Sequence, residues 1–261
     1  LLGLSSCATP TAHFDAEARS LGFSREIVRG ENFSHAVYSR VPQPPGELLH
    51  VYLEGDASPK RSIRYRPPDP TPWTSVMLGL TALDPAPSIL LGRPCQHGLD
   101  LCDPLHWTLG RYGEEVVASL AVAIEAQRLA RGAQGLVLIG FSGGGTLAML
   151  LAERIPETRA VVTLAGNLDL SRWAQHHGYQ PLSLSLDPAG RSPLDPEIVQ
   201  IHLLAGRDRR VPPELMASEL SRQPGARLRS FPEIDHACCW AAIWPETLRD
   251  LDASLEARAT P

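Results

Sequence analysis

Residues 135–155 read GLVLIGFSGGGTLAMLLAERI. An apolar run passes through Gly140-Phe141-Ser142-Gly143-Gly144-Gly145 directly into a helical pattern, with no residues to spare for a loop. Glycine is costly inside regular structure, so four of them around one serine signal a geometric demand. A strand that is apolar at every position is buried on both faces, which is the mark of a parallel sheet covered by helices. The same alternation recurs along the chain. Strands are expected at 47–56, 87–94, 158–167, 197–208 and 226–236, and helices at 72–84, 114–132, 144–155, 212–223 and 245–259. Two short runs within 25–41, separated by Gly30-Glu31-Asn32, read as an antiparallel hairpin. The pattern predicts an α/β domain with a mostly parallel, doubly wound sheet and helices on both faces. Ligands of such sheets bind beyond the carboxyl ends of the strands.

The chain of 261 residues is long enough for one large α/β domain, and 25–261 is read as that domain. Residues 167–196 lack a strong period and read as a short cap segment between two strands. A net charge of −5 and a pI near 6.0, with no dense basic run, argue against nucleic acid as a partner. No apolar stretch reaches transmembrane length.

Gly140-Phe141-Ser142-Gly143-Gly144 fits G-x-S-x-G on a strand-to-helix turn, the context which that motif requires. A serine at the tip of a sharp turn needs small residues two before and two after it. Its Oγ then stands at a helix N-terminus, where N–H groups and the helix dipole favour a developing negative charge. Ser142 is the candidate nucleophile and the N–H of Gly143 the candidate first oxyanion donor. A plain βα turn or a phosphate loop is the competing reading, but no lysine follows as in a Walker loop. The hydroxyl needs a base, and His236 follows the last strand at the same sheet edge. The imidazole needs an orienting acid, and Asp208 follows the preceding strand. Asp169 and Asp235 are weaker candidates for that acid. His202 is expected in the core, and His176 and His177 in the cap. His13, His35 and His50 are read as structural or exposed. Trp107, Trp173, Trp240 and Trp244 are read as packing residues in preference to a pocket lining.

With serine, acid and histidine in that order, the chain resembles an α/β-hydrolase-fold serine hydrolase over roughly residues 40–255. AGRDRRVPPEL is similar to the segment that carries the acid in many members. More narrowly, YLEGDA, RPCQ, GFSGGG, AGNLDL and DHACCW resemble a group of bacterial lipoprotein-like hydrolases. The resemblance implies cleavage of an ester-like acyl bond through an acyl-enzyme on Ser142, His236 and Asp208, with a small-molecule or lipid-like acyl substrate. The mechanism calls for no metal and no organic cofactor. By analogy the N–H of Asp56 supplies the second oxyanion donor, in a place where many members have His-Gly and this chain has Glu54-Gly55. A carboxylate there is unfavourable beside an oxyanion unless it turns away. Acyl transfer on the same triad, and a non-catalytic envelope lipoprotein that uses the fold as a binding scaffold, are the alternatives.

The first residues, LLGLSSCATP, lack an initiating Met and a basic leader, and read as the cut end of a longer precursor. Leu4-Ser5-Ser6-Cys7 resembles a bacterial lipobox, with Cys7 as the lipidation site and 1–24 as anchor and linker. This predicts membrane attachment through an N-terminal lipid anchor in the bacterial cell envelope, facing the periplasm or exterior. Ala8 is compatible with outer-membrane sorting. Cys95 and Cys102 sit in a Pro/Gly-rich loop at a spacing that closes a small disulfide. His97 and His106 nearby would suit zinc, but the C-x-x-C knuckle is missing, so the disulfide is preferred. The adjacent Cys238 and Cys239 fit either a vicinal disulfide or two thiols.

Overall fold

The computed structural model describes residues 9–40, 46–56, 69–99 and 102–259. Cys7, and with it the lipid-anchor expectation, lies outside them. Among the described residues, eight strands form one sheet in the order β1-β2-β4-β3-β5-β6-β7-β8. They are β1 (Phe23–Arg29), β2 (Ser34–Arg40), β3 (Leu48–Leu53), β4 (Ser88–Leu91), β5 (Gly135–Phe141), β6 (Thr158–Leu164), β7 (Val199–Ala205) and β8 (Arg227–Phe231). β2 runs antiparallel to both β1 and β4, and every pairing from β4 through β8 is parallel. The expected hairpin is the antiparallel part.

Helices cover both faces: α2 (Val76–Leu83), α3 (Glu114–Ala130), α4 (Gly143–Arg154), α5 (Leu170–His177), α6 (Pro213–Arg222) and α7 (Trp240–Ala259). The apolar run of β5 is divided between two cores by the period of two in a strand. Leu136 and Leu138 pack with α3 and α4, while Val137, Ile139 and Phe141 pack with α2 and α7. Each is buried, and each such side chain contributes about 1.5–3 kcal/mol of transfer free energy. That double burial is why the strand has no polar position.

Two elements differ from the sequence pattern. No element is expected before residue 24, yet Pro10–Ser20 forms a further helix, α1, which seats Phe14 and Ala18 in the second core. Its start is signalled by Thr9, whose side chain accepts from the Ala12 N–H, followed by Pro10. The last helix starts at Trp240, so Pro245 lies inside it and not at its first turn. The helix there loses one backbone hydrogen bond, while Trp240 and Trp244 gain full burial. In 167–196, α5 and a single 3₁₀ turn at Pro188–Gly190 lie between β6 and β7. No helix of the described residues is long and apolar enough to cross a membrane.

Candidate active site

The turn between β5 and α4 is built by close approach. A Cβ on Gly140 would collide with the carbonyl of Gly144, and one on Gly144 with the carbonyl of Leu53. A Cβ on Gly143 would collide with the carboxylate of Asp56 and the hydroxyl of Tyr112. These glycines are therefore required by contact. Ser142 itself has φ 53° and ψ −118°, a left-handed conformation that a non-glycine residue adopts only when its surroundings hold it there. The surroundings do hold it. Its N–H donates to Leu164 O at 2.9 Å, and its carbonyl accepts from Gly145 at 3.0 Å and Asn167 at 3.1 Å. Strain at one serine is thus fixed by β6 and the first turn of α4.

The structure brings Ser142, His236 and Asp208 together. Ser142 Oγ lies 3.0 Å from His236 Nε2, and His236 Nδ1 lies 2.6 Å from Asp208 Oδ2. Asp208 Oδ1 accepts from the N–H groups of Arg210 at 2.7 Å and Val211 at 2.9 Å, which fixes the carboxylate. The Trp240 indole donates to His236 O at 3.0 Å, and Phe141 packs on the imidazole with ring centroids 4.9 Å apart. His236 and Asp208 are both buried. An imidazole that faces a carboxylate on one nitrogen and a hydroxyl on the other is arranged to move a proton.

The competing acids are engaged elsewhere. Asp169 caps α5 by accepting from Arg172 at 2.9 Å. Asp235 Oδ1 accepts from Ala237 at 3.0 Å and Cys238 at 2.8 Å. His202 is buried against Thr163 Oγ1 at 2.8 Å, and burial lowers its pKa to about 4. His50 pairs with Asp84 at 2.7 Å in the core, His35 is buried between Gly92 O and Ser119, and His13 is exposed. Trp240 and Trp244 are core residues. Trp173 and His177 of α5 both meet the carbonyl of Arg210, at 2.7 and 2.9 Å.

Gly55 lies directly against the serine, and the Asp56 carboxylate against Gly143. A Cβ on Gly55 would sit 3.3 Å from Ser142 Cβ. The Gly143 N–H opens α4 and so has no intrahelical acceptor. The carboxylate of Asp56 does not turn away from this turn, contrary to the condition set by the sequence. It is neutralised in place. Arg93 Nη1 donates to Oδ1 at 2.7 Å, Arg111 Nε lies 2.9 Å from Oδ2 as a poorly aligned ion pair, and the Tyr112 hydroxyl donates to Oδ2. Burial alone would raise the Asp56 pKa, but Arg111 and Arg93 outweigh it and hold the carboxyl below the ordinary carboxylate range. Glu54, two residues before Asp56, is buried and accepts from Gly55 at 2.9 Å, Met77 at 3.2 Å and the Ser75 hydroxyl. Burial pushes its pKa up against those three hydrogen bonds. Arg111 and Tyr112 were not legible as site residues, and Arg93 stood within RPCQ, a stretch that carries the resemblance but no stated role. Each sits in irregular chain just past a strand or just before a helix.

Cys95 and Cys102 form a disulfide with Cα atoms 5.5 Å apart, and Cys238 and Cys239 form a vicinal one. Cys95, Cys102 and His106 are the ligand types that come together, within 4.8 Å, among the described residues. In the disulfide the two sulfurs offer no thiolate to a metal.

The architecture has counterparts among solved structures. An esterase of Pyrococcus furiosus superposes with TM-score 0.59 at 14% identity, over 92% of this chain and 94% of that one. An α/β serine hydrolase without lid from Xanthomonas campestris gives TM-score 0.54 at 15% identity, over 90% and 93%. This chain has the α/β-hydrolase fold. A proline iminopeptidase-related protein of Thermus thermophilus shares this fold at TM-score 0.60 and 16% identity, over 90% and 98%. No protein-family model matches the chain, and no curated protein sequence matches it. At these identities the likeness concerns the α/β-hydrolase fold alone, so chemistry has to be argued from the site.

Proposed function

We propose that this protein is a serine hydrolase that cleaves an ester-like acyl bond. The observation that carries the reading is the relay Ser142 Oγ–His236 Nε2–Asp208 Oδ2 at 3.0 and 2.6 Å, standing on a serine with φ 53°. Ser142 Oγ attacks the acyl carbonyl while His236 Nε2 takes the hydroxyl proton. Asp208 holds the Nδ1 tautomer and stabilises the imidazolium. The N–H groups of Gly143 and Asp56 receive the tetrahedral oxyanion, each donor contributing on the order of 3 kcal/mol to lowering the barrier. His236 then returns the proton to the leaving oxygen. Water, with His236 as base, clears the acyl-enzyme. The names of the structural neighbours, an esterase and a serine hydrolase among them, support a hydrolase without choosing its substrate.

A fluorophosphonate probe and a panel of p-nitrophenyl esters of graded chain length test this. Labelling at Ser142, lost in Ser142→Ala and His236→Ala together with ester turnover, is expected. An unlabelled, inactive parent refutes it. Product analysis with an added alcohol shows whether water or a second hydroxyl takes the acyl group.

The lipobox-like Leu4-Ser5-Ser6-Cys7 supports a lipid-anchored place in the bacterial envelope. A Cys7→Ser precursor is expected to stay unprocessed and leave the membrane fraction. If it fractionates like the parent, the anchor is refuted.

A further inference from the structure

Four segments that are far apart in sequence meet over the residue after Ser142. Asp56 follows β3, Arg93 follows β4, Arg111 and Tyr112 precede α3, and Gly143 opens α4. The Asp56 carboxylate and the Tyr112 hydroxyl cover Gly143 so closely that no side chain fits there. Arg93 and Arg111 are buried, with only 5% and 6% of their side chains exposed. A further donor of each is tied to the backbone: Arg93 Nη2 donates to Arg111 O at 3.0 Å, and Arg111 Nη1 to Thr108 O at 3.1 Å. Both guanidinium groups stack against the Tyr112 ring, at 5.3 and 5.2 Å, and Arg111 also lies 5.8 Å from the Trp173 ring. The group is therefore rigid.

Two guanidinium groups face the Asp56 carboxylate, and Arg93 also acts on the buried carboxyl of Glu54. Asp56 alone would place a negative charge beside the oxygen that becomes an oxyanion, and would raise the barrier. With both arginines held against it, that charge is neutralised in place. Inside a buried site an unneutralised charge would act with little screening by solvent.

We infer that Arg93, Arg111 and Tyr112 are positioning residues for the oxyanion site: they clamp Asp56 over Gly143 and neutralise its charge, so that the tetrahedral anion forms there without opposition from the carboxylate. This inference rests on the hydrolase reading above. It locates part of the transition-state stabilisation in side chains that touch neither substrate nor nucleophile.

The test compares parent, Arg111→Met, Arg111→Lys and Tyr112→Phe on p-nitrophenyl butyrate, together with inhibition by phenylboronic acid. The boronate forms an anionic tetrahedral adduct with the serine, so it reports the oxyanion field without turnover. Arg111→Met is expected to lower kcat by about tenfold to a hundredfold. KM should stay within about threefold, and boronate affinity should fall by the same factor as kcat. Arg111→Lys restores the charge and is expected to recover most of the loss. Should Arg111→Met fail to fold, Tyr112→Phe removes one oxygen from the clamp and is expected to lower kcat and boronate affinity together, about threefold to tenfold, at unchanged KM. Parental kcat and boronate affinity in Tyr112→Phe, a kcat loss with boronate affinity unchanged, or equal losses in Arg111→Met and Arg111→Lys would overturn the inference. A parent that takes no fluorophosphonate and hydrolyses no ester refutes the hydrolase reading, and the inference falls with it. A labelled, active parent whose variants behave like it refutes the clamp alone.

Discussion

The carboxylate of Glu54 accepts a hydrogen bond from the Ser75 hydroxyl, and through that bond the end of β3 is tied to the start of α2. The same carboxylate accepts from Gly55 and Met77, while Ser75 Oγ caps Leu78 at 2.9 Å. One acid thus satisfies the Met77 amide, which the helix cannot, and holds the loop that delivers Asp56 to the Ser142 turn. Glu54→Ala leaves these donors without a partner. It is expected to lose about 2–3 kcal/mol of stability by urea unfolding, and activity at permissive temperature should fall with it.

Ser142 is held at φ 53°, where glycine is at no disadvantage. Ser142→Gly removes the hydroxyl and relieves the strain together. The variant is expected to be inactive yet more stable than the parent by about 1 kcal/mol, seen as a higher Tm. A lower Tm would mean that the turn is not strained.

The disulfide between Cys95 and Cys102 closes a short loop of seven positions beside Arg93. A loop of that size restricts the unfolded chain by about 2 kcal/mol. The double variant Cys95→Ser/Cys102→Ser should lose about that amount in urea unfolding, and addition of a dithiol should not destabilise it further through this bond.

Two buried histidines make stability pH-dependent. Burial lowers the pKa of His202 to about 4. Burial and the charge of Arg25 lower that of His97 to about 3. Each folded-state pKa lies below the unfolded value near 6.5, so the unfolded chain binds the proton more tightly. Their contribution is fully present above about pH 6.5. It falls as pH drops toward the folded values, by up to about 1.4 kcal/mol per pH unit for each histidine. Urea unfolding between pH 7 and 5 should show this loss, and His202→Gln should flatten the slope.

The meeting of Ser142, Asp208 and His236 was legible because its signals are local. Ser142 lies on a strand-to-helix turn rich in glycine, Asp208 follows the apolar, buried strand β7, and His236 follows the short, largely exposed edge strand β8. The clamp was not legible. Arg93 and Arg111 stand in irregular segments, and their meaning comes from a carboxylate that the topology brings over Gly143. Helix α1 was missed for a related reason. It buries only Phe14 and Ala18, too few positions to set a period, although Thr9-Pro10 marked its start. For Cys238 and Cys239, adjacency in sequence is equally compatible with a bond and with two thiols, and the structure joins them.

The central claim is that Asp208, and no other acid, orients His236 for Ser142. The direct measurement is the rate of fluorophosphonate labelling and ester turnover in Asp208→Asn beside Asp169→Asn. Asp208→Asn is predicted to fall by on the order of 10⁴-fold, while Asp169→Asn, which alters only the cap of α5, stays within about threefold of the parent. Parental rates in Asp208→Asn, or a collapse confined to Asp169→Asn, would contradict the account.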